Sequence, residues 1–403
     1  MLQLIQMAVK YTLSPDQAAA LQHIGQWYRS KSAPYLTLGG YAGTGKTTLI
    51  AVLREKLREL DDDLAVAFCA FTGKAARVLD TKLREQKVPR FGDNVSTIHS
   101  LIYVADLDGA GSVTNWRKKD KDEVEYDLII VDEASMVDET IWNDLLSYEI
   151  PVLAVGDHGQ LPPVSGRFNL MQNPQIKLER IFRQAEDSPI VEVATIARTT
   201  GEVPPGDYGD GVRKLDRTNE ETGQIVQELI EGWRPDRLVL CGYNHTRVKL
   251  NQAIRQQRDF EGAEPTVGDR VVCLKNNRRA KIYNGMTGTI RHLYRPDTDR
   301  DKDQKWYEVE IELDNEDYKY YGYILREQFG ARETIKDTPL APDKKPGDLF
   351  DFGYALTVHK AQGSESEEVL LFEERFPKMT DDDWRRWLYT GITRASVRLT
   401  IVG

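Results

Sequence analysis

What this 403-residue chain lacks narrows its class first. It has three cysteines, Cys69, Cys241 and Cys273, far apart in sequence. So sparse and odd a set argues against a disulfide framework and for a reducing compartment. Cys69 and Cys241 sit in apolar, strand-like runs and read as buried thiols. No apolar run is long enough to cross a bilayer as a helix. Residues 1–10 are mildly apolar but carry neither a basic leader nor a small-residue cleavage site. They read as part of the fold or a ragged end, not as a signal peptide. The six histidines are scattered, with no Cys/His spacing that suggests zinc. A basic excess is missing too: 54 Lys and Arg against 64 Asp and Glu leave a net charge of −10. That argues against indiscriminate coating of phosphate backbones. It leaves room for a local basic groove, since binding follows the local field.

What is present is alternation. Strand-like runs at 35–38, 64–70, 128–131 and 152–155 alternate with amphipathic helices. Between the first two, Leu49, Leu53, Leu57 and Leu60 recur at spacings of three and four. Strand, helix, strand, repeated, predicts an α/β fold with a parallel sheet covered on both faces. A second α/β pattern takes in 238–241, 369–372 and 399–402. It is interrupted from about 265 to 345, where runs at 270–274, 287–292, 306–313 and 318–324 are split by Gly, Asn and Asp turns. This predicts a small β-barrel-like insertion, with 296–305 as a flexible loop. A smaller insertion at 102–125 carries Asp108-Gly109-Ala110-Gly111, a turn between two short strands.

Gly40-Tyr41-Ala42-Gly43-Thr44-Gly45-Lys46-Thr47 fits the phosphate-binding loop pattern between a strand and a helix. Glycines let successive N–H groups converge on phosphate oxygens, and the helix N-terminus adds positive potential. Lys46 is expected to reach the β and γ phosphates of ATP and Thr47 to ligate Mg²⁺, with Thr48 beside it. Leu128-Ile129-Ile130-Val131 reads as a buried strand that delivers Asp132 and Glu133 at its C-terminal end. Asp132 is expected to hold Mg²⁺ and Glu133 to orient the attacking water. Residues 155–164 end another strand, so Gln160 can approach the γ-phosphate. Residues 357–365 pack donors around a glycine, and residues 388–395 place Arg394 at a turn.

In this order, these stretches resemble the B branch of the superfamily 1 helicases, the RecD-like and phage Dda-like enzymes, over nearly the whole chain. Leu13-Ser14-Pro15-Asp16-Gln17 is similar to the motif whose glutamine reads adenine. Phe71-Thr72-Gly73-Lys74 and Ser96-Thr97-Ile98-His99 resemble two DNA-contact motifs. The resemblance implies that Arg183 and Arg394 each bring an arginine to the γ-phosphate and that Glu365 contacts ribose. Thr357, His359 and Lys360 would grip DNA. The Gln-Leu-Pro-Pro-Val form at 160–164 implies 5′-to-3′ travel.

The implied layout is two RecA-like motor domains with ATP between them. Residues 1–165 would form the first, with 102–125 as a β-hairpin pin. Residues 166–263 and 346–403 would form the second, and 264–345 an SH3-like insertion. Single-stranded and fork DNA are the implied partners, with replication or recombination proteins beside them. Neither a membrane nor an oligomer is required, and the cytoplasm of a bacterial or phage-infected cell is the expected setting.

Plainer readings stand beside these. Tyr103 and Trp116 either split the duplex or pack the hairpin base. Thr72, Thr97 and Thr357 serve as helix caps as readily as phosphate contacts. His99 and His359 can be core or cap histidines, and Arg183 and Arg394 surface ion-pair partners. Lys74, Lys360 and Glu365 can simply be solvated. A DNA-stimulated ATPase switch, a motor subunit of a nuclease complex and an RNA helicase are the rival functions.

Overall fold

The structure is a computed structural model. It describes residues 13–107, 113–162, 168–180, 188–260, 262–277, 280, 282–295, 304–314, 316, 318–344 and 346–403. The side chains of 74, 105–107 and 113–116 are also outside the description. The chain divides into two compact units, Met1–Ala105 with Trp116–Val191, and Asp106–Asn115 with Glu192–Gly403.

The first unit begins with α1 (Pro15–Ser30), β1 (Tyr35–Gly40), α2 (Lys46–Leu60), β2 (Val66–Ala70), α3 (Gly73–Glu85) and β3 (Asn94–Thr97). α4 (Ile98–Ile102), the hairpin strands β4 (Tyr103–Leu107) and β5 (Val113–Lys118), of which 106–107 and 113–115 group with the second unit, and β6 (Leu128–Asp132) follow. α5 (Glu139–Leu146), β7 (Val152–Gly156) and β8 (Ile176–Leu178) complete it. The sheet order is β3-β2-β6-β7-β1-β8, parallel throughout.

Alternate residues of each strand face opposite layers. Phe68, Ile130 and Val155 join Ile24, Trp27, Leu49 and Leu53 on one side. Cys69, Ile129, Val131 and Ala154 meet Leu101, Trp142 and Leu145 on the other. Leu49, Leu53 and Leu57 are buried as their spacing predicts, but Leu60, the last residue of α2, is 55% exposed.

The second unit carries α6 (Pro189–Thr200), β9 (Gly206–Gly209), β10 (Val212–Leu215), α7 (Glu220–Glu231), β11 (Arg237–Cys241) and α8 (Asn244–Gln256). An insertion follows with β12 (Arg270–Cys273), β13 (Thr287–Tyr294), β14 (Trp306–Leu313), β15 (Lys319–Leu325) and β16 (Phe350–Phe352). β17 (Ala355–Thr357), β18 (Ser366–Phe372), α9 (Asp381–Ile392) and β19 (Ala395–Val402) end the chain. Its main sheet, β17-β11-β18-β19-β10-β9, is parallel except for the antiparallel edge β9. The insertion is an antiparallel sheet, β15-β14-β13-β12-β16, around Val271, Ile290, Ile311, Ile324 and Phe350.

Two expected boundaries shift. β8 pairs with β1, and Gln175 Oε1 accepts from Thr37 N at 2.7 Å, so the first sheet extends past residue 165. β16 pairs with β12, so the insertion sheet closes past residue 345. Neither pairing is local, and the short strands carry no period of their own. The turn at 108–112 and most of the 296–305 loop lie outside the described residues.

Buried ion pairs tie α8 to the insertion. Arg255 donates to both oxygens of Asp269, at 2.8 and 2.9 Å, and Tyr354 OH donates to the same carboxylate at 2.8 Å. One helical stretch earlier, Arg247 Nη1 donates to Asp351 of β16 at 2.7 Å. Removing one member leaves a buried guanidinium uncompensated, which costs about 3–5 kcal/mol. Asp269→Ala is therefore expected to lose stability of that order in urea unfolding. A loss near that of a surface mutation would show that the pair is not what holds α8 and β12 together.

Candidate functional site

The loop between β1 and α2 is built around one carbonyl. Tyr41 O accepts from Thr44 N at 3.3 Å, Thr44 Oγ1 at 2.8 Å and Lys46 Nζ at 3.1 Å. Lys46 Nζ also donates to Gly40 O at 2.8 Å, so its ammonium lies over the loop mouth. Gly43 and Gly45 have φ of 78° and 74°, a region that side chains with a Cβ rarely adopt. A Cβ on Gly40 would sit 2.6 Å from Thr44 Oγ1. Gly45 is the N-cap of α2 and, among the described residues, no side chain caps that helix. Its first N–H groups therefore form an anion site. Thr47 and Thr48 occupy the first turn of α2, half-buried.

Gln17 is buried at the start of α1. Its Oε1 accepts from Ser14 N at 3.0 Å and its Nε2 donates to Thr44 O at 2.8 Å. The amide nitrogen fastens α1 to the phosphate loop, while the amide oxygen closes the capping box at the start of α1.

β6 carries four buried residues and then Asp132. Burial, and next the negative charge of Glu133, push the Asp132 carboxyl up to about 6, while Lys46 and Lys82 pull the other way. Glu133 takes a left-handed backbone, φ 52° and ψ 38°, and donates its N–H to Asp132 Oδ1 at 2.9 Å. That conformation costs a non-glycine residue about 1–2 kcal/mol. Its Oε2 is buried and, among the described residues, has no hydrogen-bond partner. Two crowded carboxylates and an unsatisfied oxygen suit a bound cation and a polar substrate.

β7 ends in a tight turn. Asp157 Oδ1 accepts from Gly159 N at 2.9 Å, and Asp157 O accepts from Gln160 N at 3.3 Å. Gln160 is buried with its Nε2 3.5 Å from Asp157 Oδ2. The ordering role of Asp157 went unread in the sequence, although an aspartate two residues before a glycine is its ordinary signal. Pro163 and Val164 of this motif lie outside the described residues.

The expected DNA residues follow strand ends in their own units. Thr72 caps α3 by accepting from Ala75 N at 3.2 Å, and Thr97 caps α4 by accepting from Ser100 N at 3.0 Å. His99 lies between the rings of Phe71 and Tyr103, at centroid distances of 6.0 and 5.7 Å. Lys74 is in the first turn of α3. In the second unit, Thr357 ends β17 and His359 and Lys360 follow it, both half-buried. Burial lowers the pKa of each, and Arg247 lowers that of Lys360 further.

Arg394 is buried and donates to Thr390 O and Ser364 O, both at 3.0 Å, joining the end of α9 to the 357–365 loop. Glu365 is exposed, and Arg183 lies outside the described residues. Tyr103 starts β4, and its hydroxyl donates to Asp144 on α5, which favours the plainer reading of a packed hairpin base. Trp116 lies in β5.

The raised Asp132 pKa has a stability sign. A carboxyl shifted above its ordinary value near about 4 destabilises the fold once ionised. The penalty is absent below about pH 4 and complete above about pH 6. Asp132→Asn is expected to raise the melting temperature of the nucleotide-free protein at pH 8, with the gain shrinking towards pH 4.5. An equal shift at both pH values would show that ionisation at this position costs the fold nothing.

Residues 12–220 match the family model described as an AAA domain, and 352–402 match a UvrD-like helicase C-terminal domain. The ATP-dependent RecD2 DNA helicase of Deinococcus radiodurans is 30% identical over 97% of this chain and 49% of that protein. The ATP-dependent DNA helicase dda of Enterobacteria phage T4 is 30% identical over 89% of this chain and 92% of its own length. RecBCD enzyme subunit RecD of Mycobacterium tuberculosis is 27% identical over 91% of this chain. The chain spans only part of some relatives, about half of the Deinococcus protein and 66% of the Mycobacterium one.

Among solved structures, the Pif1 helicase from Bacteroides in complex with ADP-AlF3 and ssDNA has a TM-score of 0.54 at 18% identity, covering 98% of this chain and 92% of that one. The Pif1 helicase from Candida albicans has a TM-score of 0.52 at 20% identity, covering 98% and 94%. With the loop, the paired carboxylates and the glutamine turn on adjacent parallel strands, these likenesses lead to one assignment: the chain belongs to the B branch of the superfamily 1 helicases.

Proposed function

We propose that this chain is an ATP-driven DNA helicase motor that moves 5′-to-3′ along single-stranded DNA and separates duplex ahead of it. The observation that carries the reading is Glu133 Oε2, buried and without a partner among the described residues, on the strand next but one to the Lys46 loop. A water-orienting carboxylate must keep an acceptor that the fold itself does not satisfy.

In this reading Lys46 and the N–H groups of Gly43, Thr44 and Gly45 hold the phosphates. Thr47 and Asp132 would hold Mg²⁺, which when bound neutralises phosphate charge. Glu133 orients a water for in-line attack on the γ-phosphorus, with ADP leaving. Gln160, Arg183 and Arg394 bear on the γ-phosphate; Gln17 and Glu365 bear on adenine and ribose.

Thr72, Lys74, Thr97 and His99 grip DNA from one motor domain, and Thr357, His359 and Lys360 from the other. A phosphate beside Lys360 would offset the burial that lowers its pKa. The two units act as RecA-like motor domains, the β4–β5 hairpin as the pin and the five-stranded insertion as an SH3-like module. Direction rests on the Gln-Leu-Pro-Pro-Val form, and the helicase activity on kinship with RecD2 and dda, both named as ATP-dependent DNA helicases.

The deciding measurement is unwinding of 5′-tailed against 3′-tailed DNA forks. Separation is expected only with the 5′ tail, and ATP turnover without separation on either fork would favour a switch ATPase. Lys46→Ala should abolish hydrolysis, whereas Glu133→Gln should keep ATP binding and reduce kcat by at least about a hundredfold. Deleting residues 106–114 should leave DNA-stimulated hydrolysis and remove unwinding; normal unwinding would place the pin elsewhere.

A further inference from the structure

The phosphate loop and the Gln160 turn touch through two rings that neither motif requires. The Tyr41 ring lies against the His158 imidazole with centroids 4.1 Å apart and planes tilted by 45°. That is closer than the usual aromatic range of about 4.5–7 Å. The contact has a prepared seat. A Cβ on Gly39 would come within 2.5 Å of Pro174 Cγ and 2.8 Å of His158 Nδ1, so glycine there leaves room for the imidazole and the proline ring over β1.

Each ring is rigidly tied to a group of the ATP site. The Tyr41 carbonyl receives the Lys46 ammonium and both Thr44 donors. His158 sits inside the turn that Asp157 closes by binding Gly159 N and Gln160 N. Moving Tyr41 therefore moves the Lys46 acceptor, and moving His158 moves Gln160. The ring pair is a side-chain contact that makes these displacements one.

We propose that His158 is a positioning residue which, through its ring contact with Tyr41, sets Gln160 according to the conformation of the phosphate loop. A phosphate in the loop competes for the Lys46 ammonium that Tyr41 O now receives. The Tyr41 peptide is then released from one of its three donors, and its ring shifts the His158 turn. Gln160 is brought to its working position when the loop is filled. The proposal deepens the ATPase reading above and rests on it.

The test compares ATP hydrolysis by the full chain, with saturating single-stranded DNA, for His158→Ala, His158→Phe, Tyr41→Leu and the Tyr41→Leu/His158→Ala double variant. His158→Ala should lower kcat by about tenfold, the rate equivalent of a strong aromatic pair, with KM for ATP within about twofold. His158→Phe keeps a ring on the Gly39 seat and should restore most of that loss. The double variant should be no slower than the slower single variant, because both remove one contact.

Unchanged kcat in His158→Ala overturns the proposal, as does equal loss in Ala and Phe, or additive losses in the double variant. Melting temperatures separate damage to the fold from damage to coupling. If His158→Ala does not fold, Tyr41→Leu against His158→Phe gives the same comparison from the other ring. Lys46→Ala is the control: if it is inactive while His158→Ala is normal, only the coupling fails. If Lys46→Ala hydrolyses ATP normally, the site assignment fails and the coupling with it.

Discussion

The parallel pairing of β1 with β7, in a register that sets Gly39 opposite Gly156, is the constraint on which the nucleotide site depends. Both positions are closed to side chains. A Cβ on Gly39 would run into Pro174 and His158, and one on Gly156 into Met171 and the Ser135 amide. The strands therefore end close together, and the chain leaving each is forced into a tight turn at the same sheet edge. One turn carries Lys46 and the other Gln160, while the adjacent β6 brings Asp132 and Glu133. Parallel strands collect such ends on one side, which is why ligands bind there in folds of this class.

The fold tolerates a charge arrangement at that edge that folding alone would not favour. Asp132 and Glu133 are neighbours in a poorly solvated position, and the Asp132 carboxyl is held well above its ordinary range. Glu133 adds a left-handed backbone and an unsatisfied carboxylate oxygen. Strain and like charge of this kind persist only where surrounding structure over-determines them. Here the two apolar layers of the sheet supply that surplus, since β6 is buried from Leu128 to Val131.

The second unit handles charge in the opposite way. Arg247 and Arg255 are buried on α8, and each is neutralised by an aspartate held at the insertion sheet. Asp269 and Asp351 also accept backbone N–H groups, from Thr266 and Gly330. Satisfied pairs of this kind fix orientation more than they add stability. The insertion is thereby seated on the helix that packs against β11 and β17, and β17 leads directly into Thr357, His359 and Lys360.

The sequence by itself determined the α/β class, the phosphate loop, the paired carboxylates and the glutamine turn. Each is a local pattern whose chemistry needs particular residues at short spacing. Asn94–Thr97, Ile176–Leu178 and Phe350–Phe352 became strands only in the tertiary structure, because pairing with β2, β1 and β12 supplies what their short sequences do not. Tyr103 reads from the sequence as wedge or packing residue alike, and only the fold of α5 brings Asp144 to its hydroxyl. Gln17 stood out in the sequence only by resemblance to an adenine-reading motif, and its hold on Thr44 O depends on α1 lying over the loop. The Tyr41–His158 contact joins residues over a hundred positions apart, and no period or motif links them. Strand register alone brings those rings together, and register is a property of the folded sheet.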